Sequence, residues 1–385
     1  MIRIVDSTLC CGCSACVNAC PVHCIVMSRD IEGFDYPNAN QDLCINCGKC
    51  EDVCPMLHGT HNTHTLCAHA SRIDDNLSTS SSGGIFPALA DKILSDGGSV
   101  FGAVLEDDMT VGHCEAVNHD QIEPMKSSKY VQSDLYSTFE EIDALLYQDK
   151  KVLFTGTPCQ VAALDRYVTA PRQGLLAVDF ACHGVPAPGL WKRYVKALEE
   201  RAAKKIVDIK FRDKSRSWRH YGMRITYSDG SAEYVSREKD PYLSLFLQNM
   251  TLRPSCYECK FKCGASGSDI TLSDLWSVPG LAPQMNDDRG VSGVFVNTEK
   301  GLNSLESISL SEFYQVDVDA ARTDNGGFSS QIQRPGNREE FFRGAHLTTD
   351  LIRYMKGYVV SVSIYKGLYR RLRKLFSRIK RRVVR

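Results

Sequence analysis

Residues 10–21 read CCGCSACVNACP, and residues 44–55 read CINCGKCEDVCP. Each stretch contains the spacing C-x-x-C-x-x-C-x-x-x-C followed by proline, so the same cysteine pattern occurs twice near the start of the chain. Two-residue gaps let a looping backbone place three thiolates around one 4Fe-4S cluster, whereas the fourth cysteine reaches a second cluster. The doubled pattern therefore predicts two 4Fe-4S clusters with crossed ligand sets.

The eight cysteines of the two repeats divide into two predicted ligand sets. The first cluster set is Cys10, Cys13, Cys16 and Cys54, and the second cluster set is Cys20, Cys44, Cys47 and Cys50. Cys11 and Cys24 fall outside the pattern and are interpreted as core residues or neighbours of the clusters. Zinc is the alternative occupant, because paired C-x-x-C segments also bind zinc. Zinc leaves the third and fourth cysteines of each repeat unexplained, so the pattern favours iron–sulfur clusters.

The composition describes a chain much larger than one cluster module. At 385 residues, with 43% apolar and 24% charged residues, the sequence predicts further folded domains with their own cores. Its 17 cysteines occur without the pattern of a secretory leader, so we expect reduced thiols. No apolar run approaches the roughly 18 residues that cross a bilayer. These features predict a cytoplasmic protein.

The charge of the chain is divided unevenly. Residues 365–385 hold ten Lys or Arg residues and no acid, which leaves 36 basic and 46 acidic residues before them. An acidic body argues against a nucleic-acid-binding protein, whose folded domain usually carries the positive patch. Apolar residues recur at helical spacing in this tail, which predicts a basic amphipathic helix. It either lies peripherally on the inner face of the membrane, docks on an acidic partner, or is a solvated terminal helix.

A serine- and glycine-rich loop precedes a predicted helix. Residues 78–84 read STSSSGG and lead into IFPALADKIL, an apolar pattern that ends before Gly97 and Gly98. Serine hydroxyls and glycine amides at a helix amino terminus can bind the phosphate of a nucleotide cofactor. The alternative is a serine that caps the helix. Both interpretations are open on spacing alone.

Beyond residue 100, strand-like and helical patterns alternate, which predicts a mixed α/β sheet. The strand-like runs are VFGAVL, KVLFTG, LLAVDFA and IVDIKF, and the helical patterns are TFEEIDALLYQ, PCQVAALDRYV and LWKRYVKALEERA. Cys159 and Cys182 each follow a strand directly, at the edge where open α/β sheets bind ligands. Cys159 also begins a predicted helix, a position that favours a thiolate.

A third cluster is predicted from cysteines that are far apart in the sequence. PSCYECKFKC at residues 254–263 supplies Cys256 and Cys259 at two-residue spacing, which is half of a cluster site. Cys159 and Cys182 complete a third 4Fe-4S cluster in this interpretation. Cys263 is the competing fourth ligand.

The motifs GTPCQVAAL, DFACHGVP, RPSCYECKFK and SDITLSDLW occur in this order. With them the sequence resembles the coenzyme F420 (deazaflavin) hydrogenase/dehydrogenase beta-subunit family over roughly residues 1–340, with ferredoxin motifs ahead of the family's own domains. The resemblance implies FAD at SSSGGIF and SSKYVQS. The predicted cofactor-binding residues are Ser80, Ser81, Ser82, Gly83, Gly84, Lys129, Tyr130 and Thr157. The candidate catalytic residues are Lys129, His183, Arg253 and Asp274.

The predicted fold class is a multi-domain α+β and α/β protein. A bacterial-type ferredoxin module with two 4Fe-4S clusters precedes a mixed-sheet α/β flavin-binding region. The predicted segments are the ferredoxin domain at 1–57, the first part of the flavin domain at 65–150, the domain with the third cluster at 151–345, and the basic tail at 350–385.

These features predict an iron–sulfur flavoprotein oxidoreductase. It would take low-potential electrons from ferredoxin or a similar donor through the clusters to the flavin, and reduce or oxidise a small-molecule or protein partner. The resemblance connects it to polysaccharide biosynthesis, without naming the substrate. The alternative is an adaptor subunit that passes electrons to a partner enzyme and has no substrate of its own. FAD and FMN, and any oligomeric state, are compatible with these motifs.

Overall fold

The computed structural model describes residues 1–61, 64–262, 264–328 and 332–360. These residues form thirteen strands: β1 (Ile25–Arg29), β2 (Asp35–Ala39), β3 (Cys67–Arg72), β4 (Ser99–Leu105), β5 (Val111–Ala116), β6 (Val152–Gly156), β7 (Leu175–Phe180), β8 (Ile206–Asp213), β9 (Gly222–Tyr227), β10 (Ala232–Ser236), β11 (Ile270–Asp274), β12 (Ser292–Val296) and β13 (Glu312–Val316). Cys263 and the predicted basic tail at 365–385 lie outside the described residues.

The same residues form twelve α-helices. They are α1 (Ala15–Asn18), α2 (Lys49–Asp52), α3 (Ile85–Ser95), α4 (Thr138–Tyr147), α5 (Pro158–Tyr167), α6 (Pro188–Ala202), α7 (Pro241–Leu247), α8 (Val278–Leu281), α9 (Glu299–Glu306), α10 (Val318–Asp324), α11 (Arg338–Leu347) and α12 (Leu351–Tyr358). Within the described ranges, none of these helices combines the length and apolar character that a membrane crossing needs.

Eight strands form one mixed sheet in the order β13-β3-β12-β11-β7-β6-β4-β5. β3, β11, β7, β6 and β4 run in one direction, and β13, β12 and β5 run in the other. The mixed α/β sheet predicted from the sequence is confirmed. Its strands come from both predicted segments, 65–150 and 151–345, so these segments share one sheet.

β8 does not join this sheet. It pairs with β9 in a separate antiparallel sheet of order β10-β9-β8. The expectation that IVDIKF belongs to the large sheet is therefore wrong. Val207 on β8 is 53% exposed whereas Ile209 and Phe211 are buried. A strand with one solvated face suits an antiparallel sheet, because parallel central strands are covered on both faces.

The ferredoxin module is anchored to the large domain by the tip of its hairpin. β1 and β2 pair antiparallel, and Gly33 turns between them with φ of +91°. Gly189 N at the start of α6 donates to Gly33 O at 3.0 Å. A Cβ on Gly33 would lie only 2.8 Å from the Cα of Gly189, so the two backbones meet at a distance that only glycine permits. Phe34 follows and is completely buried in the core that also contains Trp191.

A buried ion pair fixes the same hairpin from the other side. Arg338 on α11 is completely buried and donates to both carboxylate oxygens of Glu32, at 2.7 and 2.6 Å. Its remaining donors reach Leu252 O at 2.7 Å and Tyr257 OH at 3.1 Å. A bidentate guanidinium–carboxylate pair has a fixed geometry, so it sets the orientation of the module as well as holding it.

The segment at 350–385 begins with an ordered helix. α12 buries Leu351, Ile352 and Met355 in the same core as Phe34. The first residues of the predicted tail therefore pack on the large domain, and the membrane or partner contact predicted for residues 365–385 stays a prediction.

We expect Phe34→Ala to lower the free energy of unfolding by about 3 kcal/mol, because a buried aromatic ring is lost and leaves a cavity. Urea unfolding followed by tryptophan fluorescence measures this, since Trp191 lies in the same core. Val26→Ala is the matched control on the same hairpin; Val26 is 58% exposed, and its loss should change stability by less than about 0.5 kcal/mol. Equal effects of the two substitutions would contradict the anchoring of the hairpin by Phe34.

Candidate functional site

The carboxyl ends of the parallel strands meet at one edge of the large sheet. The serine loop follows β3, Cys159 follows β6, Cys182 follows β7, and Asp274 ends β11. Open α/β sheets bind their ligands at this edge. The topology therefore gathers residues that are nearly 200 positions apart in sequence.

The two cysteine repeats have the same backbone conformation. Gly12 and Ser14 flank Cys13 with positive φ values, and Asn46 and Gly48 flank Cys47 in the same way. Left-handed residues at these positions curl the loop, so that successive cysteines and amides turn toward one centre. The internal duplication seen in the sequence therefore extends to the main chain.

The first cluster set lies at a buried position. Cys10, Cys13 and Cys16 are buried, and Cys54 is partly buried. Burial raises the pKa of the Cys16 thiol to about 12, and the neighbouring Cys10 and Cys54 thiols add to the rise. Gly12 N donates to Cys10 Sγ at 3.4 Å, an N–H to sulfur contact of the kind that stabilises cluster ligands.

The second cluster set lies nearer the surface. Its four cysteines line one cavity together with Cys24 and Ile45. Ile2 N donates to Cys50 Sγ at 3.4 Å, and Cys24 N donates to Cys20 Sγ at 3.3 Å. Cys47 is exposed, and Ile45 beside it is 61% exposed. This end of the ferredoxin module is open to solvent and to other molecules.

The four cysteines predicted for the third cluster come together. Burial raises the pKa of Cys182, and the nearby thiols of Cys256, Cys159 and Cys259 raise it further. Burial and the neighbouring Cys259 and Cys159 likewise raise the pKa of Cys256 to about 12. These four residues are named here the third cluster set. Cys263, the competing ligand, lies outside the described residues.

Cys11 connects the first and third cluster sets. Its thiol lies next to those of Cys13 and Cys159, and its neighbour Cys13 raises its pKa well above the ordinary value. The contact with Cys11, followed by burial, also raises the pKa of Cys159. This outweighs the helix amino terminus that led us to expect a thiolate. Thr157 caps α5, and its Oγ1 lies 3.2 Å from Cys159 Sγ, so it belongs with the third cluster set.

The serine loop is held by the second predicted flavin stretch. Ser128 N donates to Ser81 Oγ at 2.7 Å, and Gly83 N donates to Ser292 Oγ at 2.9 Å. α3 begins at Gly84 with φ of +80°, and no side chain in the described part of the chain caps it. The serine cap proposed as the alternative is therefore wrong. Ser80 Oγ is buried without a hydrogen-bond partner among the described residues.

Two basic residues that the sequence analysis missed lie beside this loop. Lys214 Nζ donates to Ser82 O at 2.9 Å, and burial lowers the pKa of Lys214 to about 8, with a further contribution from nearby Arg212. Arg212 is buried and pairs with Asp274, but its Nε and Nη2 have no partner among the described residues. Its guanidinium lies 4.7 Å from the Tyr221 ring. The basic run FRDKSR was the only sequence signal for these residues.

Tyr130 joins the predicted flavin stretch to the third cluster set. Its ring lies 4.8 Å from Phe246, and the other side of Phe246 meets His183 at 5.0 Å, next to Cys182. Burial raises the pKa of Tyr130, and the charges of Arg212 and Asp274 also act on it. A continuous aromatic contact therefore runs from Cys182 to the residues around Arg212.

The structure does not gather the four candidate catalytic residues in one place. Lys129 Nζ donates to three carbonyl oxygens of its own loop, at 2.5, 2.9 and 3.2 Å, and burial lowers its pKa to about 7. His183 packs beside Cys182, and Asp274 pairs with Arg212. Arg253 faces the ferredoxin module, where it donates to Cys10 O at 2.8 Å. Their catalytic roles stay predictions.

Comparison with known proteins gives two family matches. Residues 149–319 match the family described as the C terminus of the coenzyme F420 hydrogenase/dehydrogenase beta subunit. Residues 9–57 match the 4Fe-4S dicluster domain. No curated protein matches the chain. Among solved structures, the chain is similar to one from the F420-reducing NiFe hydrogenase complex of Methanosarcina barkeri, at 17% identity and a TM-score of 0.44, covering 68% of this chain and 84% of that one.

The family matches contain both repeats of the cysteine pattern and all four cysteines of the third cluster set. This chain is therefore an iron–sulfur electron-transfer protein of the coenzyme F420 hydrogenase/dehydrogenase beta-subunit family, with a 4Fe-4S dicluster domain at its amino-terminal end.

Proposed function

We propose that the protein is an iron–sulfur flavoprotein oxidoreductase with three 4Fe-4S clusters and one flavin. The observation that carries the proposal is the continuous series of contacts across the molecule. Cys11 lies between the first and third cluster sets, and Phe246 lies between His183 and Tyr130. Cofactors held at these places would form one relay from the exposed ferredoxin end to the serine loop.

The residues present fit iron–sulfur clusters. Curled loops, buried thiols and N–H groups directed at sulfur are the features by which a protein holds a cluster and tunes its potential. When bound, the clusters carry single electrons and the flavin exchanges one or two, so together they connect one-electron donors with two-electron acceptors. The protein's own part is to bury the inner thiols and fix their separation.

The residues at the serine loop fit a flavin nucleotide. Gly83 lies against the Ser71 carbonyl, where a Cβ would come within 2.4 Å, so the backbone amides of the loop are not covered by side chains. Arg212 has two unpartnered donors among the described residues, and Lys214 holds Ser82. Positive groups at a helix amino terminus bind phosphate or stabilise an electron-rich ring. We propose that these residues hold FAD, as the resemblance implies.

The exposed second cluster set is the proposed site of electron uptake. Ile45 and the exposed Cys47 give a small apolar surface close to a cluster, which suits brief contact with ferredoxin or another low-potential donor. The acceptor belongs to the part of the proposal supported by the resemblance alone, with polysaccharide biosynthesis as its setting. His183 and Asp274 are the proposed substrate-side residues, since they lie closest to the Tyr130 contact.

Anaerobically purified protein should contain about 12 iron and about 12 sulfide atoms per chain, four of each for every cluster. Cys256→Ser should lower both numbers to about 8, since only the third cluster loses a ligand. Cys182→Ser and Cys263→Ala form the matched pair: loss in the first and retention in the second identify Cys182 as the fourth ligand. Zinc in place of iron, with no sulfide, would overturn the proposal.

Arg212→Gln and Lys214→Met should each weaken flavin binding about tenfold or more, because a charged hydrogen bond contributes about 1.5 kcal/mol or more. Flavin released by acid and identified by chromatography gives the content per chain and separates FAD from FMN. Lys210→Met removes an exposed charge from the same strand and should keep its flavin. Equal flavin content in all three variants would place the cofactor elsewhere.

Reduced ferredoxin or viologen should reduce the bound flavin of the intact protein in an anaerobic stopped-flow experiment. In Cys256→Ser the clusters of the ferredoxin module should still be reduced while the flavin stays oxidised, because the relay is interrupted. Repeated turnover with an added acceptor and no partner protein would eliminate the adaptor alternative. Rapid flavin reduction in Cys256→Ser would contradict the role of the third cluster set.

A further inference from the structure

Arg253 is a buried charge without a carboxylate. It is 0% exposed, and among the described residues its donors reach only carbonyl, amide and sulfur acceptors. These are Cys10 O at 2.8 Å, Gln132 Oε1 at 2.9 Å, Asp35 O at 2.9 Å and Cys10 Sγ at 3.6 Å. A guanidinium keeps its proton in proteins, so Arg253 is a permanent positive charge in the interior.

The other buried arginines show how unusual this is. Arg72, Arg212 and Arg338 are also buried, and each has a carboxylate partner. An uncompensated charge in a protein interior is strongly unfavourable. Arg253 therefore needs a negative partner, and the closest group that can supply it is Cys10 Sγ. A cluster bound by four thiolates carries that negative charge.

The surroundings of Arg253 are shaped to hold it in place. Its guanidinium lies 4.3 Å from the Tyr36 ring and 5.3 Å from the Phe34 ring. Gly12 leaves the space for it, since a Cβ there would lie 2.6 Å from Arg253 Nη1. Gln132 accepts from Nη1 and donates to Cys11 O at 3.0 Å. The position of the charge relative to Cys10 is therefore fixed by packing on several sides.

Arg253 also belongs to the turn that carries the third cluster set. Its carbonyl accepts from Cys256 N at 2.9 Å, and its own N–H donates to Val185 O at 2.9 Å. The side chain thus reaches the first cluster set while the main chain is bound to a residue of the third. One residue connects the two sites.

We propose that Arg253 is a positioning residue that neutralises the first cluster and raises its reduction potential, an inference that rests on the proposed function. Reduction adds a negative charge to the cluster, and a fixed positive charge nearby favours the reduced form. The exposed second cluster set has no such buried cation in contact with its sulfurs among the described residues. The difference favours transfer from the exposed set inward.

The test is a redox titration of the intact holoprotein followed by electron paramagnetic resonance. Arg253→Gln should lower the midpoint potential of one cluster by about 59 mV or more, which is a tenfold change in its reduction equilibrium. Arg253→Lys should keep most of the wild-type potential because it keeps the charge. Arg338→Gln is the matched control, since it removes the other completely buried arginine of the same interface and should shift no potential.

A second variant covers the case in which Arg253→Gln fails to fold. Gln132→Glu leaves Arg253 in place and sets a carboxylate against Nη1, so it should lower the same potential. Clusters present with unchanged potentials in Arg253→Gln, or in Gln132→Glu if only that variant folds, would overturn this inference alone. A wild-type protein that holds no clusters would overturn the proposed function as well.

Discussion

The structure depends on the fixed contact between the ferredoxin hairpin and the large domain. Phe34 lies in the main core, Gly33 and Gly189 meet backbone to backbone, and the Glu32–Arg338 pair holds the hairpin's other side. Apolar burial supplies most of the stabilisation, and the ion pair adds direction. Because of this contact, Cys11 can lie beside both Cys13 and Cys159.

The sequence predicts best what is encoded locally. Cysteine spacing predicted the dicluster domain because all its ligands come from two short loops. Alternating strands and helices predicted the mixed sheet and placed Cys159 and Cys182 beyond strand ends, because parallel strands bring these ends to one edge. The third cluster set needed Cys256 and Cys259 from a distant turn, and only their half-site spacing indicated them.

The rest depends on tertiary contacts that no local pattern contains. β8 has ordinary strand composition, so its pairing in a separate sheet could be seen only from its partners. Arg212 lies in a polar run that is typical of a solvated strand end, and its burial arises from Tyr221 and Trp276. Arg253 was expected at a substrate site because it stands before the cysteine motif, whereas its side chain points to the opposite domain.

The buried hairpin tip has a consequence for how the molecule works with other proteins. Swinging the ferredoxin module away would expose the Phe34 ring to water and strand the Arg338 charge, so the module is a built-in conductor and not a tethered carrier. The spacing between its metal centres and the rest of the relay is decided once, when the chain folds. Every later adjustment in throughput then falls to whatever protein arrives at the solvent-facing end.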